Sequence, residues 1–184
     1  MGRTLSELAE SHVAFITRQK MFFVGSAPLT GDGHVNLSPK GLDTFRILSS
    51  SCVMYADFTG SGVETIAHLR ENGRMTIMFC AFDGPPNILR LYGRGRVVEP
   101  QDAEFAELAS KLSGLPPMRA IIMLDVTRVS DSCGFGVPLY EFKADRAQMA
   151  AWCDRKGDEG IRTYQREKNA HSIDGLPGLR SVVP

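Results

Sequence analysis

The sequence predicts a single mainly β domain of the α+β class, an antiparallel β-barrel with appended helices. Apolar segments of strand length follow one another along the middle of the chain, and short, glycine-rich turns join several of them. Helical patterns stand mainly at the two ends. Short turns favour antiparallel pairing because parallel neighbours need a long crossover. Six or seven strands of this length tend to close into a barrel, which removes exposed sheet edges.

Length and charge narrow the possible functions. The chain has 184 residues, which fits one domain over 1–184. Its 21 basic and 21 acidic side chains cancel, so we expect no nucleic-acid or membrane partner. No apolar run approaches the roughly 20 residues that a membrane-spanning helix needs. The N-terminus lacks the order of a signal peptide, so we expect a cytoplasmic protein.

The cysteines and histidines predict neither disulfides nor a metal site. Four cysteines are scattered without a C-x-x-C pair, and four histidines show no ligand spacing. Cys52 and Cys80 lie in apolar strand-like runs, where reduced core thiols are expected. Cys133 alone has a polar, glycine-rich setting in which a thiol could be reactive, although a bend near a pocket is the simpler interpretation.

Helical patterns predict an N-terminal helix over about 5–19, a helix between strands over about 63–72, and a helical tail over about 145–184. Thr4 and Glu7 have capping-box spacing for the first helix. Gly73 has the position expected just after the second. The tail carries the only tryptophan, which we expect to pack it against the barrel. A further helical pattern is PQDAEFAELASKL.

Strand patterns surround these helices. A hairpin is predicted where two segments flank the turn TGDGH, namely MFFVGSAPL and HVNLSPKG. The remaining predicted strands are SCVMYADF, then RMTIMFCAF and NILRLYGRGRVVE around the turn DGPP, and finally AIIMLDVTRVSDSCGFGVPLYEF, which we expect to bend at its glycines.

The loop TGSG, residues 59–62, has two interpretations. It follows a strand and precedes a helix, so its backbone N–H groups could bind a phosphate together with the helix dipole. Alternatively, Ser61 and Glu64 have capping-box spacing, so that Ser61 could simply cap its own helix. The loop matches neither the Walker A motif nor G-x-G-x-x-G.

Basic residues offer further anion contacts. Lys40 follows a strand between Pro39 and Gly41, at a stiff turn that could aim its ammonium group, although a solvated turn lysine is the simpler interpretation. Arginines 90, 94 and 96 alternate along one strand and share one face. Like charges on one face need acids, solvent or an anionic ligand.

These segments together resemble the pyridoxamine 5′-phosphate oxidase-related flavoproteins, which have the FMN-binding split-barrel fold. The resemblance covers roughly residues 20–130 and rests on HVNLSPKGLD, VMYADFTGSGVETIAHLRENGRMTIMF and LRLYGRGRVV. It is most similar to the branch of that family without a characterised reaction.

The resemblance implies a homodimer with FMN at its interface, the flavin lying along the second strand and its phosphate near TGSG. The residues implied or considered as cofactor contacts are Val35, Asn36, Leu37, Ser38, Lys40, Tyr55, Asp57, Thr59, Gly60, Ser61, Gly62, Arg90 and Arg94.

The chain departs from the oxidase at two positions. Ser61-Gly62-Val63 stands where the oxidase carries an Arg-Lys pair, and Val35 stands where it begins its strand motif with arginine. Backbone donors of TGSG, with Lys40 or with Arg90 and Arg94, would have to replace these cations.

The resulting hypothesis is an FMN-dependent oxidoreductase that acts on a small molecule, with no catalytic residue assigned. A non-enzymatic module that stores or senses flavin is the alternative from another functional class. Related barrels also bind the deazaflavin F420 or haem, so both stay open as cofactors.

Overall fold

The structure, a computed structural model, describes residues 4–182. Within this range the elements are β1 (Thr4–Leu5), α1 (Glu10–Arg18), β2 (Phe22–Ser26), β3 (Asn36–Lys40), β4 (Phe45–Ser49), β5 (Cys52–Phe58), α2 (Glu64–Asn72), β6 (Arg74–Cys80), β7 (Ile88–Val98), α3 (Phe105–Ser110), β8 (Met118–Ser132) and α4 (Gln148–Lys168). The predicted mixture of strands and flanking helices is confirmed. β4 was not predicted, because its short FRILS segment carries little apolar pattern.

The strands form one antiparallel sheet in the order β3-β2-β6-β7-β8-β5-β4, with β1 added to β8. β3 and β4 are therefore the two ends of the path. Phe22 on β2 and Phe45 on β4 nevertheless meet at 5.2 Å between ring centroids, and Phe45 lies 5.1 Å from Phe79. Strands from opposite ends of the sheet thus share one aromatic core. The sheet curls into a barrel whose ends face each other without pairing.

The N-terminal segment corrects one prediction. Thr4–Leu5 pair with β8, and α1 begins only at Glu10, so the capping box of Thr4 and Glu7 is wrong. The Glu7 carboxylate instead accepts a hydrogen bond from the Ser50 hydroxyl, 2.7 Å away. At the start of the helix, the Ala9 N–H donates a hydrogen bond to Nδ1 of the His12 side chain. The helix begins later than predicted because Thr4 and Leu5 pair with the sheet. Such long-range contacts cannot be read from the local sequence pattern.

The C-terminal region is helical only as far as Lys168. Gly157 has φ 60° and ψ 172°, which interrupts α4, and the rings of Trp152 and Tyr164 meet at 5.3 Å across this interruption. This contact lies within the tail, and the expected packing of Trp152 against the barrel stays a prediction. Residues 169–182 form no helix, yet Leu179 is buried in the barrel core.

The last predicted strand ends earlier than expected. β8 stops at Ser132, and Gly134 has φ 65°, a left-handed conformation that glycine adopts without steric cost. The chain beyond it crosses the surface without regular structure as far as α4. Within residues 4–182, none of the helices combines the length and apolar character needed to cross a membrane.

Candidate functional site

A pocket of about 330 Å³ lies between β3, the TGSG loop, the start of α2 and the start of β8. It contains most of the residues that the sequence identified as cofactor contacts. Its volume is at the lower end of the range for small-molecule sites.

The predicted cofactor contacts in residues 35–40 lie on two different faces of β3 and of the residue before it. Successive side chains of a strand point to opposite sides, and here Asn36, Ser38 and Lys40 line the pocket. Leu37 is 65% exposed on the other face, and Val35, just before the strand, is 78% exposed. Pro39 lines the pocket as well, whereas Val35 and Leu37 do not, so the segment offers a ligand mainly its three polar side chains.

A buried carboxylate organises the cations of the pocket. Asp57 is 1% exposed, and its two oxygens accept hydrogen bonds from different elements. Lys40 Nζ donates to Oδ1 at 2.9 Å, and Arg119 Nε donates to Oδ2 at 2.8 Å. Asp57 thus positions two cations and carries the wrong charge to contact a phosphate itself.

The protonation of Asp57 follows from this arrangement. Burial by itself would raise the pKa of the carboxyl group, but the charges and hydrogen bonds of Arg119 and Lys40 outweigh burial and lower the pKa from 3.8 to about 2. At neutral pH the trio carries two positive charges and one negative charge. A net positive charge therefore remains at the pocket, where the Lys40 side chain is 23% exposed.

Arg119 is the functional residue that sequence reasoning missed. The pairing of β5 with β8 shifts register between Asp57 and Phe58, where Ala120 and Met118 are the successive partners. Arg119 is the extra residue of β8 at this irregularity. The available signal was an arginine at the start of an otherwise apolar strand. Its partner could not be identified, because register irregularities leave no clear local pattern.

The TGSG loop presents free backbone donors. No backbone carbonyl within residues 4–182 accepts a hydrogen bond from the N–H of Gly60, Ser61 or Gly62. Gly60 and Gly62 line the pocket, and a Cβ at Gly60 would meet no atom within 4 Å. Open space and unpaired N–H groups next to a helix N-terminus are what an anion site requires.

The C-terminal tail holds this loop from the outside. Gln165 Nε2 donates to Thr59 Oγ1 at 2.8 Å, and Asn169 Nδ2 donates to the Gly60 carbonyl at 2.8 Å. The Thr59 hydroxyl and the Gly60 carbonyl thus have partners in the tail. Sequence reasoning gave the tail no such role, since these contacts join residues more than 100 positions apart.

The alternative interpretation of TGSG as a helix cap is wrong. α2 begins at Glu64, its N-cap is Val63, and no side chain caps it. Ser61 lies two residues before that cap and is exposed. The Glu64 carboxylate accepts the backbone N–H of Ile173 in the tail, at 3.3 Å. Glu64 also lines the pocket, so it opposes anion binding from one side.

Tyr55 lies beneath the pocket and not in it. Its side chain is fully buried, and its ring packs edge-on against Phe22 at 5.4 Å. Lys40 Nζ lies 5.8 Å from the ring centroid. Burial raises the pKa of the Tyr55 hydroxyl well above its ordinary value. In this position Tyr55 supports Lys40 and offers a ligand no exposed surface.

A polar network fixes the pocket face of β3. Asn36 Nδ2 donates to Ser26 Oγ at 3.2 Å and to Thr65 Oγ1 at 2.9 Å. Ser26 Oγ also lies 3.0 Å from Nδ1 of the buried His68. Burial lowers the pKa of His68, which favours its neutral form. The network joins the hairpin of β2 and β3 to α2 and so fixes the pocket walls relative to each other.

The arginines of β7 lie elsewhere. Arg90 donates to Ser132 Oγ at 3.0 Å, and Arg94 donates to the carbonyl of Asn72 at 2.8 Å. Arg96 pairs with Glu104. The structure therefore does not bring Arg90 and Arg94 together with Lys40 in one chain. In the described part of the chain, no three His, Cys, Asp or Glu side chains are grouped so that they could hold a metal ion.

We expect Asp57→Asn to destabilise the fold by roughly 3–5 kcal/mol at neutral pH, because it leaves two cations without their buried partner. The lowered pKa contributes stability above pH 3.9 that is lost as pH falls towards 2. The difference between wild type and variant should therefore shrink by about 2 kcal/mol between pH 6 and pH 2. Urea unfolding across this range measures it. Asp32→Asn, at an exposed turn, is the control, and a difference independent of pH would contradict the assignment.

Comparison with known proteins shows which family the chain resembles. The family model described as pyridoxamine 5′-phosphate oxidase matches residues 8–133. The pyridoxamine 5′-phosphate oxidase family protein ustO of Aspergillus flavus is 44% identical, over 90% of this chain and 73% of its own length.

Solved structures agree at the level of the fold. HupZ of Group A Streptococcus superposes with a TM-score of 0.54 at 18% identity, covering 66% of this chain and 91% of its own. A candidate pyridoxamine 5′-phosphate oxidase from Lactobacillus delbrueckii superposes with a TM-score of 0.52 at 16% identity, covering 68% and 94%. The predicted split-barrel fold is confirmed, and the chain belongs to the pyridoxamine 5′-phosphate oxidase family.

Proposed function

We propose that this protein binds FMN in the pocket beside β3, with the phosphate at the TGSG loop, and that it is an oxidoreductase acting on a small molecule. The observation that carries the proposal is the pair of cations, Lys40 and Arg119, held by the buried Asp57 next to unpaired backbone N–H groups. Family membership supports a flavin as the ligand.

Lys40 and Arg119 could replace the cations that the TGSG loop lacks. The oxidase that this chain resembles carries an Arg-Lys pair in the loop, where this chain has Ser61-Gly62-Val63. Here Lys40 comes from β3 and Arg119 from β8, so the positive charge reaches the loop from the barrel wall. The N-terminus of α2 adds its dipole and free donors. A dianionic phosphate suits this combination better than a neutral group does.

A bound flavin would supply the redox chemistry, and the protein would bind and orient it. Asn36 and Ser38 line the wall along which a flat ring can lie, and their side chains are fixed by the network with Ser26 and Thr65. No histidine lines the pocket. Because histidine is a common axial ligand of haem, its absence from the pocket lining favours FMN over haem.

We also propose a homodimer. Val35 and Leu37 are large apolar side chains exposed at β3, which is an end strand of the sheet. Unpaired apolar edges invite pairing with another chain. A second copy that covers Val35 and Leu37 would bury this exposed apolar surface. Light scattering gives the mass in solution.

Riboflavin separates phosphate contacts from ring contacts, because it lacks only the phosphate. We expect the wild type to bind FMN more tightly than riboflavin. Lys40→Met and Arg119→Met should each weaken FMN binding by about tenfold or more, in line with a lost charged hydrogen bond, and leave riboflavin binding nearly unchanged. Titration of flavin fluorescence measures both ligands.

Arg96→Met is the matched control, since Arg96 pairs with Glu104 outside the pocket. Thermal unfolding of each variant separates lost binding from lost folding. Equal weakening of FMN and riboflavin would place the phosphate elsewhere.

Gly60→Val tests the loop. The added side chain meets no protein atom near its Cβ, so we expect an unchanged melting temperature. It enters the pocket, so FMN binding should weaken by at least about tenfold. Gly31→Val, at an exposed turn where a Cβ also meets open space, should change neither quantity. Equal effects of the two variants, or a loss of stability without a loss of affinity, would contradict a phosphate cradle.

Turnover decides between an enzyme and the alternative of a flavin store or sensor. We expect FMN-loaded protein to oxidise NADH or NADPH faster than free FMN does, measured by absorbance under air. Tight FMN without turnover with any common donor or acceptor would favour the non-enzymatic alternative. The spectrum of a chromophore that co-purifies distinguishes FMN from F420 and haem directly.

A further inference from the structure

A second and larger cavity adjoins the pocket. It has a volume of about 720 Å³ and is separated from the first by a wall that both cavities share, Pro39 to Leu42, with Met149 from α4. Its far side is the segment 139–146, which follows β8 and is called here the aromatic strap. The volume lies well within the range for small-molecule sites.

The aromatic strap is fixed to the barrel although it has no regular structure. The Tyr140 N–H donates to the Phe82 carbonyl at 2.8 Å, and the two rings lie 5.6 Å apart. Lys20 Nζ lies 5.6 Å from the centre of the Phe142 ring. These contacts come from the α1–β2 connection and from the turn after β6, so the strap is held from two sides.

The rings of the strap are held but not covered. Tyr140 remains 63% exposed and Phe142 remains 50% exposed, although both line the cavity. Fixed aromatic rings that keep half of their surface in water are typical of a ligand groove, because nothing in the core compensates their exposure. Phe82, Leu42 and Met149 continue this apolar surface towards the first pocket.

The charges around the cavity select an uncharged occupant. Three cations (Arg18, Lys20 and Arg146) and three acids (Asp83, Glu141 and Asp145) line it. The seventh charge, Lys40, is paired with Asp57. The other six charges cancel in number, so beyond the shared wall they give a charged ligand little net attraction. Offset stacking or edge contacts with the aromatic rings favour a flat molecule.

We propose that this groove binds an uncharged, flat aromatic molecule and is the substrate site of the protein. Its role as substrate site rests on the proposed function, because a flavin in the first pocket would lie directly across the shared wall. Its capacity to bind an aromatic molecule rests on the groove alone. The substrate class is thus a neutral aromatic compound, and not a phosphorylated one.

N-phenyl-1-naphthylamine and its sulfonated analogue 1-anilinonaphthalene-8-sulfonate test this class, since they differ chiefly in charge. We expect the neutral probe to bind the full-length protein, with a fluorescence increase, at least as tightly as the sulfonate does. Sulfonate binding that is more than tenfold tighter would overturn the assignment to uncharged ligands. Absence of neutral-probe binding would overturn the site.

Variants of the strap locate the bound probe. Phe142→Ala and Tyr140→Ala should each weaken the neutral probe by about tenfold. Phe135→Ala is the matched control, because Phe135 is 81% exposed in the same connection and does not line the cavity. Equal effects of all three variants would mean nonspecific binding.

Two readouts separate this inference from its rivals. FMN affinity of Phe142→Ala should stay within twofold of the wild type, and a large loss would make the groove part of the flavin site. If the wild type binds no FMN, the proposed function and the role as substrate site fail, while probe binding still reports on the groove. Conversion of a dimer to a monomer by Phe142→Ala would show that a second copy occupies the groove, and would overturn the proposal.

Discussion

The carboxylate of Asp57 is the interaction on which the candidate site depends. It lies on β5, near one end of the sheet path, and accepts a hydrogen bond from Lys40 on β3, which is the other end. No ladder of backbone hydrogen bonds joins those ends. The Asp57–Lys40 pair therefore spans the split of the barrel, together with the aromatic contact between Phe22 and Phe45.

A buried ion pair is a costly way to hold two strands. Removing these charges from water offsets much of their attraction, and an apolar contact could stabilise the fold equally well. The second partner, Arg119, shows what the arrangement adds. One carboxylate holds two cations, so the pocket keeps a fixed positive charge whose position is set by three strands. Preorganised charge of this kind suits recognition of an anionic group, because few side chains need to reorganise on binding.

The tail completes the same arrangement from outside the barrel. Gln165 and Asn169 donate hydrogen bonds to the Thr59 hydroxyl and the Gly60 carbonyl and so fix the TGSG loop. The N–H groups of residues 60–62 have no backbone partner within residues 4–182. Arg180 secures the end of the tail through the buried carboxylate of Glu99. The aromatic strap, residues 139–146, forms the outer wall of the larger cavity. The connection after β8 and the tail therefore help to shape the two cavities.

Much of the fold was predictable because it depends on local patterns. Strand periodicity and short turns indicated an antiparallel barrel, and the Asn72-Gly73 pair marked the end of α2, where Gly73 has φ 69°. The hairpin of β2 and β3 and the proximity of Lys40 to TGSG also followed from sequence. Alternation along β3 could have separated Asn36 and Ser38 from Val35 and Leu37, but the pocket face was not known.

The sequence by itself thus determined the fold family, the position of the TGSG loop between a strand and a helix, and the proximity of Lys40 to that loop. Only the tertiary structure decided that Arg119 is the second cation, that Ser61 caps nothing, and that Arg90 and Arg94 point to other partners. The physical reason is that charge pairing is set by strand register across long separations. Asp57 and Arg119 are 62 residues apart, and a single irregularity in the ladder brings them together.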